Sequence, residues 1–212
     1  MNTLSALLAK NRLWAESNKG RDASFFSRLK AGQSPQYLWI GCCDSRVPAE
    51  MLTGAQPGEL LVHRNVANMV LHDDINCLSV LQFAVDVLKI QHIIVAGHYN
   101  CGGVKAALDD GYDGSLGTWL QHIKGIFRQH QGKFDLLKNE KERFNMLCEL
   151  NAAHQVVNVA NTDIVRQAWK KQLPLTIHGY VYNIGDGLLK KIGASISGRD
   201  DIPEQYQSCT QE

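Results

Sequence analysis

The sequence has almost no net charge, no long apolar run and no paired-cysteine knuckle. Its 22 Lys plus Arg stand against 21 Asp plus Glu, a formal charge of +1. That balance argues against a basic nucleic-acid binder and against an acidic disordered chain. No apolar stretch approaches the ~18 residues of a membrane span. The first residues, Met1 to Ala9, lack a basic-then-apolar leader with a small-residue cleavage site, so no signal peptide and a cytoplasmic location are expected. Neither a nucleic acid nor a membrane is expected as a partner. The six cysteines (Cys42, Cys43, Cys77, Cys101, Cys148, Cys209) contain no CxxC repeat, which excludes a zinc-finger framework. In a chain of this kind they read as thiols or metal ligands rather than disulfides.

Prolines number only five, at positions 35, 48, 57, 174 and 203, and all fall where the apolar pattern breaks. No Pro/Gly/Ser-rich linker divides the 212 residues and no repeat is visible. A single domain over 1–212 is expected, with a helical arm at 1–24 and a polar tail at 199–212. In the arm, Leu4, Leu7, Leu8 and Trp14 lie near helical spacing behind Thr3, a suitable N-cap. Such a stripe needs a surface to lie against, in its own domain or on a second subunit.

With 44% apolar residues, a chain of this length buries roughly 70% of its unfolded surface. Short apolar runs at Tyr37–Gly41, Leu60–His63, His92–Ala96 and Leu175–Ile177 predict buried parallel strands. Between them, Asn76–Leu88 and Leu116–Phe127 carry apolar residues at helical intervals. Glu140–Lys171 also reads as helix, broken near Asn161–Thr162. Strands alternating with helices predict an α/β fold, a central and mainly parallel sheet flanked by helices. Ligands of such sheets bind beyond the carboxyl ends of strands, here after Gly41 and after Ala96.

Both predicted strand ends carry chemistry. The first reads Gly41-Cys42-Cys43-Asp44-Ser45-Arg46, the second Gly97-His98-Tyr99-Asn100-Cys101-Gly102-Gly103. Cys42, His98 and Cys101 form a Cys₂His set, which leaves a fourth tetrahedral position on zinc. His98 and Cys101 are three residues apart, so one turn aims both at a single ion. If the chain stays extended past Cys42, residues 42, 44 and 46 face the same side. Asp44 is then either the fourth ligand or an acceptor beside the metal's water, with Arg46 able to hold it by a two-pronged hydrogen bond.

The runs Cys42-x-Asp44-Ser45-Arg46-Val47-Pro48 and Gly97-His98-x-x-Cys101-Gly102-Gly103 resemble the signature motifs of the β-class carbonic anhydrases. The stretch Gly58-Glu59-Leu60-x-Val62-His63-Arg64-Asn65-Val66-Ala67-Asn68 resembles that family's linking block. The resemblance extends from the Trp39 strand to Ile177-His178-Gly179. It implies reversible hydration of CO₂ to bicarbonate and a proton, with one Zn²⁺ per chain. Asp44 is implied as an orienting acceptor and Arg46 as its restraint. Gln33, Gly102 and Gly103 are implied to contact substrate, the glycines by letting backbone amides approach a bicarbonate oxygen.

A subgroup of the family binds bicarbonate away from the zinc through a tryptophan, an arginine and a tyrosine, matched here by Trp39, Arg64 and Tyr182. Sigmoid bicarbonate inhibition is therefore expected. Family members are dimers or dimers of dimers, and the arm is implied to pack on the partner subunit. Two thiolates formally cancel the charge of zinc, so activity should rise toward alkaline pH. Two other functions fit the same motifs, a CS₂ or COS hydrolase on the same zinc and a non-catalytic zinc or bicarbonate sensor. The left-handed tolerance of asparagine accommodates Asn100 inside the His98–Cys101 turn, where the family often has glycine.

Overall fold

The computed structural model describes residues 3–109 and 111–204, so Cys209 and the end of the expected polar tail lie outside the described residues. The chain forms two compact units, Met1–Ser34 and Pro35–Glu212. The first runs past the expected arm boundary. It holds α1 (Thr3–Arg21) and α2 (Phe25–Ala31), joined by edge-on contacts among Trp14, Phe25 and Phe26. Within that unit α1 buries no residue, and Leu4, Leu7, Leu8 and Leu13 are each more than half exposed.

The second unit is built on a five-stranded sheet: β1 (Tyr37–Cys42), β2 (Leu60–Asn65), β3 (His92–His98), β4 (Thr176–Asn183) and β5 (Leu188–Lys191). Their spatial order is β2-β1-β3-β4-β5. The first four strands pair in parallel and β5 runs antiparallel to β4. The chain leaves β1 toward β2 on one side and reaches β3 on the other. Loops part above the β1/β3 boundary, the switch point at which open α/β sheets bind ligands.

Between the strands come α3 (Ala49–Thr53), α4 (Ile75–Gln82), α5 (Gly102–Leu108), α6 (Gly114–Gln129), α7 (Gln131–Asp135), α8 (Glu140–Ala160) and α9 (Asp163–Lys170). The predicted helix at 76–88 is α4 followed by a π-helical turn at Phe83–Val87. The break expected near Asn161–Thr162 is present. Thr162 is extended there and caps α9 by accepting the Val165 amide.

Apolar alternation places Leu38, Ile40, Ile93, Val95 and Ile177 in one core with residues of α4, α8 and α9. A second core gathers Cys42, Cys101, Val104, Leu120, Ile123, Phe134, Leu147 and Cys148 around the strand ends. A smaller cluster on the other side of β1 contains Trp39, Ala49 and Ala96.

The loop after β2 is held from behind by a polar ladder on α8. Asn151 Nδ2 donates to Ala67 O at 2.9 Å. Gln155 Oε1 accepts the Val70 amide at 2.9 Å, and Asn158 Nδ2 donates to Val70 O at 2.9 Å. These bonds satisfy buried backbone groups that the left-handed residues Ala67 (φ 62°) and Asn68 (φ 50°) turn away from any regular ladder.

Candidate metal centre

β1 ends at Cys42 and β3 at His98, and the next turn brings Cys101 to the start of α5. All three are buried, and their donor atoms lie within 4.8 Å of one another. The two sulfurs are 3.8 Å apart. His98 Nδ1 donates to the Tyr99 carbonyl at 2.9 Å, which leaves the lone pair on Nε2. That nitrogen is buried and, among the described residues, has no hydrogen-bond partner. A buried imidazole nitrogen without a partner is costly. Facing two thiols, it fits a thiophilic tetrahedral cation such as zinc. The contact between the sulfurs draws the Cys42 thiol down, and the same contact pushes Cys101 up.

The expected left-handed turn at Asn100 is present, with φ 56°. It points the Asn100 carbonyl at Arg46, whose Nη2 donates to it at 3.1 Å. Asp44 and Arg46 are paired as expected, through Nε to Oδ1 at 2.9 Å and Nη2 to Oδ2 at 2.6 Å. The reason for their meeting differs from the extended chain anticipated above. β1 stops at Cys42, and residues 45–46 form a turn in which the Arg46 amide also donates to Asp44 Oδ1 at 2.9 Å. The side chain of Arg46 folds back on the carboxylate that shapes its own turn. These bonds, the Arg46 side chain first, hold Asp44 well below the usual carboxylate range. Asp44 Oδ2 stands 3.8 Å from His98 Nε2. Asp44 is not among the three residues whose donor atoms all fall within 4.8 Å.

The other predicted residues are distributed around this centre. Gly103 opens α5 against the loop after β2, and a Cβ there would lie 2.7 Å from Val66 Cγ1, so packing by itself requires glycine. Around Gly102 the corresponding space is open. Arg64 on β2 donates from Nε to Cys42 O at 2.8 Å and from Nη2 to Asp44 O at 2.5 Å. These two bonds anchor the ligand-bearing turn. Trp39 is buried in β1, and Tyr182 pairs in register with His98 at the end of β4. Gln33 is an exposed residue of the first unit. Unanticipated in the sequence, Tyr99 hydrogen-bonds Glu149 of α8, which forms an ion pair with Lys190 of β5. A tyrosine inside the second motif was the visible signal, but its partners lie roughly 50 and 90 residues away along the chain.

Residues 37–189 match the sequence profile of the carbonic anhydrases. A carbonic anhydrase of Emericella nidulans is 45% identical over 196 residues, covering 92% of this chain and 86% of that one. The β-carbonic anhydrase of Coccomyxa, solved with acetazolamide, superposes with a TM-score of 0.90 at 40% identity, over 95% of this chain and 91% of that one. A tetrameric β-carbonic anhydrase of Sordaria macrospora gives 0.88 at 38% identity, over 92% and 100%. A sheet-end cluster of two thiols and one imidazole, an Asp–Arg pair beside it, and these likenesses over nearly the full length place the chain in the β-carbonic anhydrase family, enzymes of CO₂ hydration.

Proposed function

We propose that the chain hydrates CO₂ with one zinc ion held by Cys42, His98 and Cys101, with Asp44 and Arg46 as its catalytic pair. The observation that carries this reading is the buried, partnerless His98 Nε2 facing two sulfurs 3.8 Å apart. When bound, zinc would acidify a coordinated water and so supply hydroxide. Asp44, held ionised by Arg46, can only accept hydrogen bonds and would orient the attacking hydroxyl. Arg46 engages both carboxylate oxygens and would hold Asp44 away from a bound metal. The backbone amides at Gly102 and Gly103 are assigned to substrate, the two glycines standing next to Cys101 at the start of α5.

Two cysteine ligands place more negative charge on zinc than three histidines do, so the bound water is the weaker acid. CO₂ hydration, followed by stopped flow beside metal analysis, should rise toward alkaline pH with one zinc per chain. A metal-free chain with full turnover, or a flat profile between about pH 6 and 9 around the ~7 of the three-histidine site, would overturn the reading.

We also assign regulation by bicarbonate to Trp39, Arg64 and Tyr182. Arg64 ties down the main chain of Cys42 and Asp44. An anion that draws the guanidinium away therefore loosens the turn that presents the carboxylate. Arg64→Ala should abolish sigmoid inhibition by bicarbonate; inhibition of unchanged shape would remove this assignment. The exposed leucines of α1 suit packing on a second copy, in a dimer or a dimer of dimers, as the Sordaria relative is tetrameric.

A further inference from the structure

Tyr99 is held at three points. Its amide donates to Tyr182 O on β4 at 3.0 Å. Its carbonyl accepts His98 Nδ1 at 2.9 Å. Its hydroxyl donates to Glu149 Oε1 on α8, and the same oxygen accepts Lys190 Nζ from β5 at 2.9 Å. The torsion that turns an imidazole about its Cβ–Cγ bond is broad. The direction of His98 Nε2 is therefore set by the acceptor at Nδ1, the Tyr99 carbonyl. Such outer partners of a metal-binding histidine govern its affinity.

We propose that Glu149 is a positioning residue for the zinc site. By gripping the Tyr99 hydroxyl it holds the Tyr99 carbonyl in the place that aims His98 Nε2 at the sulfurs of Cys42 and Cys101. The inference rests on the zinc reading above. A carboxylate suits the task because hydrogen bonds to an ionised acceptor are shorter and stronger than neutral ones. Lys190, from another strand, fixes the carboxylate in turn. The fold has no need of this grip at the same place. Neighbouring Leu147 and Cys148 already bury α8 in the core around the strand ends, and its polar ladder holds the loop after β2. Glu149 itself is a third exposed.

The test measures the rate at which excess chelator extracts zinc from the full chain, together with the visible spectrum of the cobalt-substituted protein. Glu149→Ala and Tyr99→Phe should each release zinc roughly three- to tenfold faster, below the 10- to 100-fold of a direct outer partner, and should alter the cobalt bands alike. The double variant should release zinc no faster than either single one, because both act through one link. Glu149→Gln, which keeps an acceptor without the charge, should fall between. A lower melting temperature with unchanged release and spectrum, or effects that multiply in the double variant, would overturn the proposal. If Glu149→Ala does not fold, Tyr99→Phe, which removes one oxygen, decides the matter. A wild-type chain that takes up no zinc would instead overturn the zinc reading itself, and is told apart by its metal content.

Discussion

Two groups of side chains with closely spaced metal-ligand donor atoms occur among the described residues, and they are built to the same plan. Cys42, His98 and Cys101 form one; His63, Asp74 and Cys77 form the other, also with donor atoms within 4.8 Å. Each combines two residues three apart in sequence with a third from a neighbouring strand. The first adjoins and the second contains an aspartate whose Oδ1 accepts the amide two residues on, Arg46 for Asp44 and Asn76 for Asp74. The difference lies in what the donors already do. In the second group Asp74 caps α4 through the Asn76 and Cys77 amides. His63 Nε2 meets the Asn65 amide at 3.3 Å, and Asn65 is itself oriented by both backbone groups of Met69. Burial, and then the charge of Asp74, push the Cys77 thiol up to about 12. In the first group an imidazole nitrogen is left without a partner and a thiol is drawn down. Proximity of donors is shared by both; availability of lone pairs separates them.

Removing ligands tests that separation most severely. Cys42→Ala or His98→Ala should release the zinc and lower CO₂ hydration roughly a thousandfold or more. Cys77→Ala and His63→Gln should leave one zinc per chain and turnover within about twofold, since neither touches the reacting atoms. A second zinc lost on Cys77→Ala would break the comparison.

Aspartate-to-asparagine changes at the two turns sharpen it. Both keep the oxygen that accepts the backbone amide. Asp44→Asn should retain zinc but slow turnover by about 10²-fold, the range of lost orientation at the reacting group. Asp74→Asn should be nearly silent, because asparagine caps as well as aspartate, whereas Asp74→Ala should cost about 1 kcal/mol of stability by denaturant titration without changing turnover.

Acid acts on stability and leaves turnover least affected. Arg46 keeps Asp44 ionised well below pH 3.8, so the Asp–Arg pair should survive mild acid. His154 behaves oppositely: burial, then His130 and Lys133, lower its pKa from 6.5 to about 4. Below 6.5 the unfolded chain binds this proton before the folded chain does. Stability is thus lost as pH falls from about 6.5 toward about 4. His154→Gln should flatten that part of the curve; an unchanged slope would place the acid loss elsewhere.

The parallel strands and the donor set were legible because each rests on a local signal. An apolar run made each strand visible, and strand ends made each motif visible. The last predicted strand was drawn as Leu175–Ile177, whereas β4 runs from Thr176 to Asn183. Its His178, Gly179 and Tyr180 look polar or small, yet every second residue of β4 is buried. β5 escaped notice because Leu188–Lys191 is short, mostly exposed and secured by pairing with β4. The Asp44–Arg46 pair was foreseen while its turn was not, since strand alternation and a turn stabilised by Asp44 bring the same two residues together. The Glu149–Tyr99 and Arg64 contacts join residues far apart in sequence, and no local pattern carries such information.

Helix α8 has two sets of attachments on opposite faces. Glu149 reaches the turn after β3, while Asn151, Gln155 and Asn158 reach the loop after β2. Inserting or deleting one residue in its middle would rotate one set against the other by about 100°, and no sliding of the helix could restore both. Natural variation in the length of α8 should therefore be confined to its ends, as it would be for a key cut to turn two locks at once.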